Sequence, residues 1–297
     1  SSKSDLTTGI YVGGRYSGTH YAKKTAKVEG GYIYNLIGGP LTDSTRGTKN
    51  DVLIYMTGGE IDMITGGAGT STTYGNRIIQ VTGGTVNYSV FGGSNGRDGT
   101  SSDGTLTGSS YVYIGGTATI GNDKYIENKS TLFGAESGSV FGAGNGNTSY
   151  ATIGSVDNSV IVINDEATIK KNVYGSGNYG TVGYSSSSDG SVNINIFGGT
   201  IGSVFGSGNN SGSGKEWQVS IPTNIKMTGG NVTGGIYGGS NQKGTLYGDV
   251  TLNILNGNVN NAFGGGLGKD TVVSQNVTVN LGDNTNSLNL TGSAYGG

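Results

Sequence analysis

Two carboxylates standing two residues apart, Glu60 and Asp62, are the first place in this 297-residue chain where catalytic chemistry could be assembled. Side chains alternate across a strand, so residues i and i+2 share a face and the two acids should lie side by side. Glycoside hydrolysis uses such a pair, one carboxyl held protonated and the other ionised. The equivalent positions of neighbouring repeats hold Tyr32 and Tyr34, or Thr85 and Asn87, so no second shell of acids or bases is expected around the pair. Asp165 and Glu166 are adjacent and should divide across a turn. The single histidine, His20, falls in a polar N-terminal stretch, and Arg occurs only at Arg15, Arg46, Arg77 and Arg97. A lyase-type centre, with a strong base beside metal-bound carboxylates, has no obvious components. The reading is of a chain with no catalytic residues and no cofactor, hence not an enzyme.

Metal and surface chemistry are tested in the same way. Asp98-Gly99 and Asp103-Gly104 could offer oxygen ligands to calcium from one loop, but the bidentate Glu of an EF-hand loop is missing. Two Asp-Gly turns are the preferred explanation, and no metal site is expected. Threonines flank several Gly pairs, as at Thr57, Thr82, Thr85, Thr117, Thr200 and Thr228, which raises an ice- or crystal-binding face. Only Thr117-Ala118-Thr119 forms a Thr-x-Thr, and it does not recur from repeat to repeat.

Binding chemistry rests on aromatic side chains. Phe91, Phe141, Tyr174, Phe205, Tyr237, Phe263 and Tyr295 each follow an aliphatic residue and precede Gly. Alternation would bury the aliphatic and turn the ring outward, unless the Gly corner reverses it. A row of rings one strand spacing apart could stack on sugars; an aromatic stack packed internally is the preferred reading. The candidate ligand contacts are Tyr174 and Tyr237 from this row, with Tyr125 and the only Trp, Trp217, from two irregular stretches.

These residues must be positioned by a repeat. Markers preceding Gly-Gly, Gly-Ser or Gly-Ala fall at Val12, Ile37, Thr65, Phe91, Phe141, Tyr174, Phe205, Tyr237, Phe263 and Tyr295, at intervals of 25, 28, 26, 50, 33, 31, 32, 26 and 32. Such a period means stacked copies of one supersecondary unit. Within a unit, Val192-Asn193-Ile194-Asn195-Ile196-Phe197-Gly198-Gly199 alternates with period two, which predicts a half-buried strand with Val192, Ile194 and Ile196 inward. The Gly pair makes a corner, since Gly alone takes positive φ without penalty. A second strand follows, as in Thr200–Phe205, then a polar loop and a short third strand, as in Thr105-Leu106-Thr107, Thr181-Val182 and Thr245-Leu246-Tyr247. The predicted fold is all-β, a right-handed parallel β-helix of about ten coils with Gly corners. It forms a single domain over residues 1–297, on the order of 48 Å long. Insertion loops are expected at 121–130, inside the interval of 50, and at 211–224. Solenoid insertions are places where binding specificity concentrates.

Composition narrows the partners. Gly 61 with Pro 2 and 32% hydrophobic residues describes a thin core, while a net charge of -2 with 18 Tyr and 6 Phe argues against disorder. With 17 Lys+Arg and no concentrated basic face, nucleic acid is not an expected partner. Lys23, Lys24 and Lys27 are read as a solvated strand edge. No apolar run approaches 18 residues, so membrane insertion is not expected. Cys 0 excludes a disulfide scaffold and thiolate metal sites. The abrupt start at Ser1-Ser2-Lys3-Ser4 and the stop at Tyr295-Gly296-Gly297 are read as the limits of a piece of a longer protein. Flanking repeats of the same chain would then cover the bare ends.

The repeat Gly-Gly-Thr-Ile-x-x-Val-Phe-Gly, at Gly198 to Ser207 and, with variation, at Gly83 to Gly93, resembles the repeats of adhesin-like and autotransporter-passenger-like bacterial surface proteins. That resemblance covers essentially the whole chain. It implies an extracellular, cell-surface location and a non-catalytic adhesive or stalk segment whose partners are host surface glycan or protein, or neighbouring cells. It carries over no catalytic residue. The competing classes are a polysaccharide-acting β-helix enzyme, lyase or glycosidase, and an ice- or crystal-surface binder.

Overall fold

A computed structural model of the chain describes residues 9–13, 21–40, 49–69, 72–96, 104–123, 137–146, 154–183, 190–214, 216, 220–285 and 287–296. Every element bounded within these residues is a strand, and all the strand pairings are parallel. The architecture is a parallel β-solenoid, as the alternation and the Gly corners require.

Three ladders form its sides. The first runs through Lys24–Val28, Val52–Met56, Arg77–Val81, Ser109–Ile114, Asn158–Ile163, Val192–Ile196, the starts of Thr223–Tyr237 and Val250–Phe263, and Val277–Leu281. Its inward columns are Ile54, Ile79, Val112, Ile161, Ile194, Ile225 and Leu252, and Met56, Val81, Ile114, Ile163, Ile196, Met227 and Ile254, all fully buried or nearly so. Burial of a side chain of this size stabilises by about 1.5–3 kcal/mol, so repetition builds a continuous though narrow core.

The second ladder carries the marker residues. Its rungs place Tyr11, Ile37, Thr65, Phe91, Phe141, Tyr174, Phe205, Tyr237, Phe263 and Tyr295 in one column. The first of these corrects the sequence register, because Tyr11 rather than Val12 pairs with Ile37. The third ladder is the shortest: Thr73–Tyr74, Leu106–Thr107, then Val156, Val182, Ser213, Leu246 and Val273. It confirms the expected short third strand. Complete three-sided turns therefore number about seven, fewer than the ten returns of the marker, because the outermost markers lack a described third side.

The corner between the first two ladders carries one positive φ per turn. Gly59, Gly84, Gly116, Gly199, Gly230 and Gly257 lie between φ 55 and 101, and Asp165 occupies the same corner at φ 55. Asp tolerates this region better than most residues. The Asp165 Oδ2 here accepts the Gly116 N–H of the turn below at 2.8 Å. A different requirement governs the Gly after each marker. A Cβ on Gly142 would collide with the Ser159 hydroxyl and the Gly175 carbonyl, and one on Gly175 with Val192 and the Gly206 carbonyl. Those glycines are needed for close approach across a thin interior, not for φ.

The interval of 50 residues between Phe91 and Phe141 is one turn with extra chain, since Phe141 pairs directly with Phe91. The expected insertion at 121–130 is described only through Asp123, where Gly121 and Asn122 still donate to Val86 and Asn87 of the turn below. The stretch 211–224 is largely absorbed into the coil: Ser213 belongs to the third ladder, Ile221 is fully buried, and Thr223 opens a strand.

Candidate functional site

Glu60 and Asp62 share a face, and the turn above bridges them. The Asn87 amide donates to Glu60 Oε1 at 2.7 Å and to Asp62 Oδ1 at 2.6 Å. One carboxamide nitrogen therefore holds an oxygen of each acid, which brings the two carboxylates close together. The turn below adds the Tyr32 hydroxyl, which donates to Asp62 Oδ2 at 2.7 Å, and the Asn122 side-chain amide donates to Asn87 Oδ1 at 3.0 Å. Tyr34 and Tyr88 complete the surroundings. The Tyr34 hydroxyl is pushed up by burial first, then by the charge of Asp62 and by Tyr88, so it stays a neutral phenol.

This shell is what the sequence reading discounted: Tyr32 and Asn87 hold the equivalent positions in adjacent turns, as the register expected, but they bind the acids instead of leaving them alone. Asp62 is 4% exposed and both its oxygens accept hydrogen bonds, so the pair is anchored, with little of Asp62 left to meet a substrate. Chemically the cluster acts as a staple joining four turns.

Two further aspartates are used similarly. Asp51 Oδ1 accepts the Asn76 N–H at 2.8 Å, and Asp249 Oδ1 accepts the Asn276 N–H at 3.1 Å, each one turn away. Asp157 is raised above its ordinary value by burial, opposed by a backbone hydrogen bond at Gly108. Arg77 points inward in the place held by Val52 below and Ser110 above, and is fully buried. Burial lowers it to about 10, partly offset by Asp51, while its Nη1 donates to the carbonyls of Asn50, Gly75 and Asn76.

The aromatic column adopts the internal arrangement. Phe91, Phe141, Tyr174, Phe205, Tyr237, Phe263 and Tyr295 stack in order, with centroid separations of 4.7, 4.8, 5.1, 4.9, 5.3 and 5.4 Å and near-parallel planes. The spacing is that of the strands, so rings on one column stack by construction. The rings point away from the aliphatic core, as alternation demands, yet with Met63 and Tyr88 the buried ones form a second hydrophobic cluster. Beside them runs a ladder no composition argument singled out: Asn145 donates to Asn95, Asn178 to Asn145, Asn209 to Asn178 and Asn241 to Asn209, at 3.2, 2.9, 3.0 and 2.9 Å. The signal was available, since Asn stands four residues after five consecutive markers, Phe91 through Tyr237.

Of the four sequence candidates for ligand contact, Tyr125 and Trp217 lie outside the described residues. Tyr174 is fully buried, its two faces covered by Phe141 and Phe205, and its hydroxyl accepts from Asn172 at 2.8 Å and Asn241 at 3.1 Å. No ligand can stack on that ring. Tyr237 is half-buried, sandwiched between Phe205 and Phe263, with its hydroxyl raised by burial.

Asp98 and Asp103 also lie outside the described residues. A further metal signal stands at Gly265-Gly266-Leu267-Gly268-Lys269-Asp270-Thr271-Val272-Val273, one copy of the Gly-rich nonapeptide that binds calcium when repeated in β-rolls. Here the Lys269 ammonium lies 2.7 Å from Asp270, both side chains exposed, and the Gly268 carbonyl accepts from the Thr271 hydroxyl; among the described residues no group of three or more acidic, His or Cys side chains gathers to hold a metal. No protein-family model, no curated protein and no solved structure matches the chain.

Proposed function

We propose that the chain is a non-catalytic, extracellular repeat segment of a bacterial surface protein, an adhesive stalk that presents loops and side chains to host glycan or protein. One observation carries the reading. The residues with chemical potential are engaged along the axis by other turns: Asp62 by Tyr32 and Asn87, Asp165 by Gly116, and Tyr174 by Asn241. A polar inventory spent on ladders is what a load-resisting spacer needs, because neighbouring repeats supply its stability. Binding of the intact rod to glycan arrays, mucin and host-cell protein extracts tests this. Saturable binding with the far-ultraviolet signature of β-structure retained is the expected result.

A second reading, a glycoside hydrolase, draws on the close approach of Glu60 and Asp62. Reducing-end release from neutral and acidic polysaccharides that disappears in Glu60→Gln would establish it and remove the stalk reading.

A further inference from the structure

The second ladder is not flat near its C-terminal end. Between Thr223–Tyr237 and Val250–Phe263 the pairing register slips between Val232 and Gly235, an irregularity of the kind that bends a strand locally. At this slip lies an open groove of about 390 Å³ with two walls of neutral polar side chains. One wall is the column Asn231, Asn258 and Asn289; the other is Thr233, Asn260 and Thr291, two residues further along each strand. The strand backbone between them is the floor.

The walls are held by bonds along the axis: Asn289 donates to Asn258 Oδ1 at 3.1 Å, the Thr291 hydroxyl to Asn260 Oδ1 at 3.4 Å, and the Thr233 hydroxyl to the Ile201 backbone carbonyl at 3.3 Å. A carboxamide has two N–H donors and two acceptor lone pairs. In these bonds Asn289 spends one donor, and Asn258 and Asn260 one acceptor each, so each of these amides keeps a donor and an acceptor for the groove. Among the described residues, no charged side chain lines it. An anionic ligand would lose hydration there without meeting a counter-charge, whereas a hydroxyl group both gives and accepts. The same donor and acceptor pair recurs at each turn, about 4.8 Å apart, which suits a chain of repeating units laid along the axis.

We propose that this groove binds an uncharged, hydroxyl-rich glycan chain running parallel to the solenoid axis. The proposal rests on the glycan-binding reading above and narrows it to one site and one ligand class. Thr233 and Asn260 are exposed, so replacing them leaves the core untouched.

Calorimetric titration with neutral hexose and N-acetylhexosamine oligomers, beside uronic-acid and sulfated oligomers, tests it on the wild-type chain, on Thr233→Val/Asn260→Leu, and on Asn260→Asp. The expected result is binding of neutral oligomers only. Loss of two net hydrogen bonds should weaken the double variant about tenfold or more. Asn260→Asp, equal in size but without the donor, should lose affinity too, with all three proteins giving the same circular dichroism. Neutral-glycan binding that both variants retain overturns the groove and leaves the glycan reading standing. Preference for acidic oligomers overturns the ligand class. Capture of host protein with no glycan binding also overturns the groove while the adhesive reading survives; binding of neither class of ligand removes both.

Discussion

The aromatic column divides into two regions built from the same motif in the same register. In the first, Phe91, Phe141, Tyr174 and Phe205 are at most 2% exposed, with centroids 4.7 to 5.1 Å apart. In the second, Tyr237 and Phe263 are half-buried, Tyr295 is 59% exposed, and the last two separations open to 5.3 and 5.4 Å. The asparagine ladder accompanies the first region and runs one turn further, beside Tyr237, where it ends at Asn241; the corresponding place after Phe263 holds Leu267, which is 55% exposed. Stacking follows from the strand repeat alone, while burial follows from the cover beside it. A motif can therefore be structural in one turn and surface in another.

The largest expected effect breaks the first region. Phe141→Ala should cost about 3–5 kcal/mol through lost transfer and a cavity, whereas Tyr295→Ala should cost less than about 1 kcal/mol. Amide hydrogen exchange, which resolves turns individually, should show protection lost in the turns around Phe141 and unchanged elsewhere; equal effects at the two sites would erase the distinction. Next in size is the ladder. Asn178 is buried and both donates to Asn145 and accepts from Asn209, so Asn178→Ala should cost about 1–3 kcal/mol by leaving partners unpaired. Asn280→Ala removes the same kind of bond, to Asn253 at 2.8 Å, from an exposed end turn, and should stay within about 0.5 kcal/mol. Thermal melts of the two variants compare them directly.

The smallest effect concerns the half-buried carboxylate of Asp157, next to Val156 of the third ladder. Burial raises Asp157 above its ordinary 3.8, so the folded chain keeps a proton that the unfolded chain has released. Stability from this group is greatest at low pH and falls as pH rises from 3.8 through the raised value. Asp157→Asn should thus melt above wild type at pH 7, and the advantage should vanish once both carboxyl forms are protonated. A wild-type advantage that grows with pH would reverse the sign.

Much of the architecture was legible because period-two alternation and Gly pairs are local signals. Val192, Ile194 and Ile196 point inward as the alternation demands, and Leu106, Val182 and Leu246 stand in the third ladder where short strands were expected. The face shared by Glu60 and Asp62 was legible for the same reason. The shell around them was not, because Tyr32 and Asn87 belong to other turns and their side-chain direction matters more than their distance in sequence. The groove was equally hidden: its walls join Asn231, Asn258 and Asn289, residues that become neighbours only through stacking, and it lies at a register slip.

What the amino-acid order determined by itself is the coil. Alternating β-branched residues choose the strand, Gly supplies the positive φ of the corner, and a constant repeat length brings like residues into columns. What the tertiary structure decided is how each column is used. Neighbouring turns set whether a ring is core or surface, whether a carboxylate is bonded or open, and whether a row of asparagines closes on itself or faces a groove. Side-chain type repeats with the chain, but burial and partnership depend on what the adjacent turns place alongside, and that is a property of the stack.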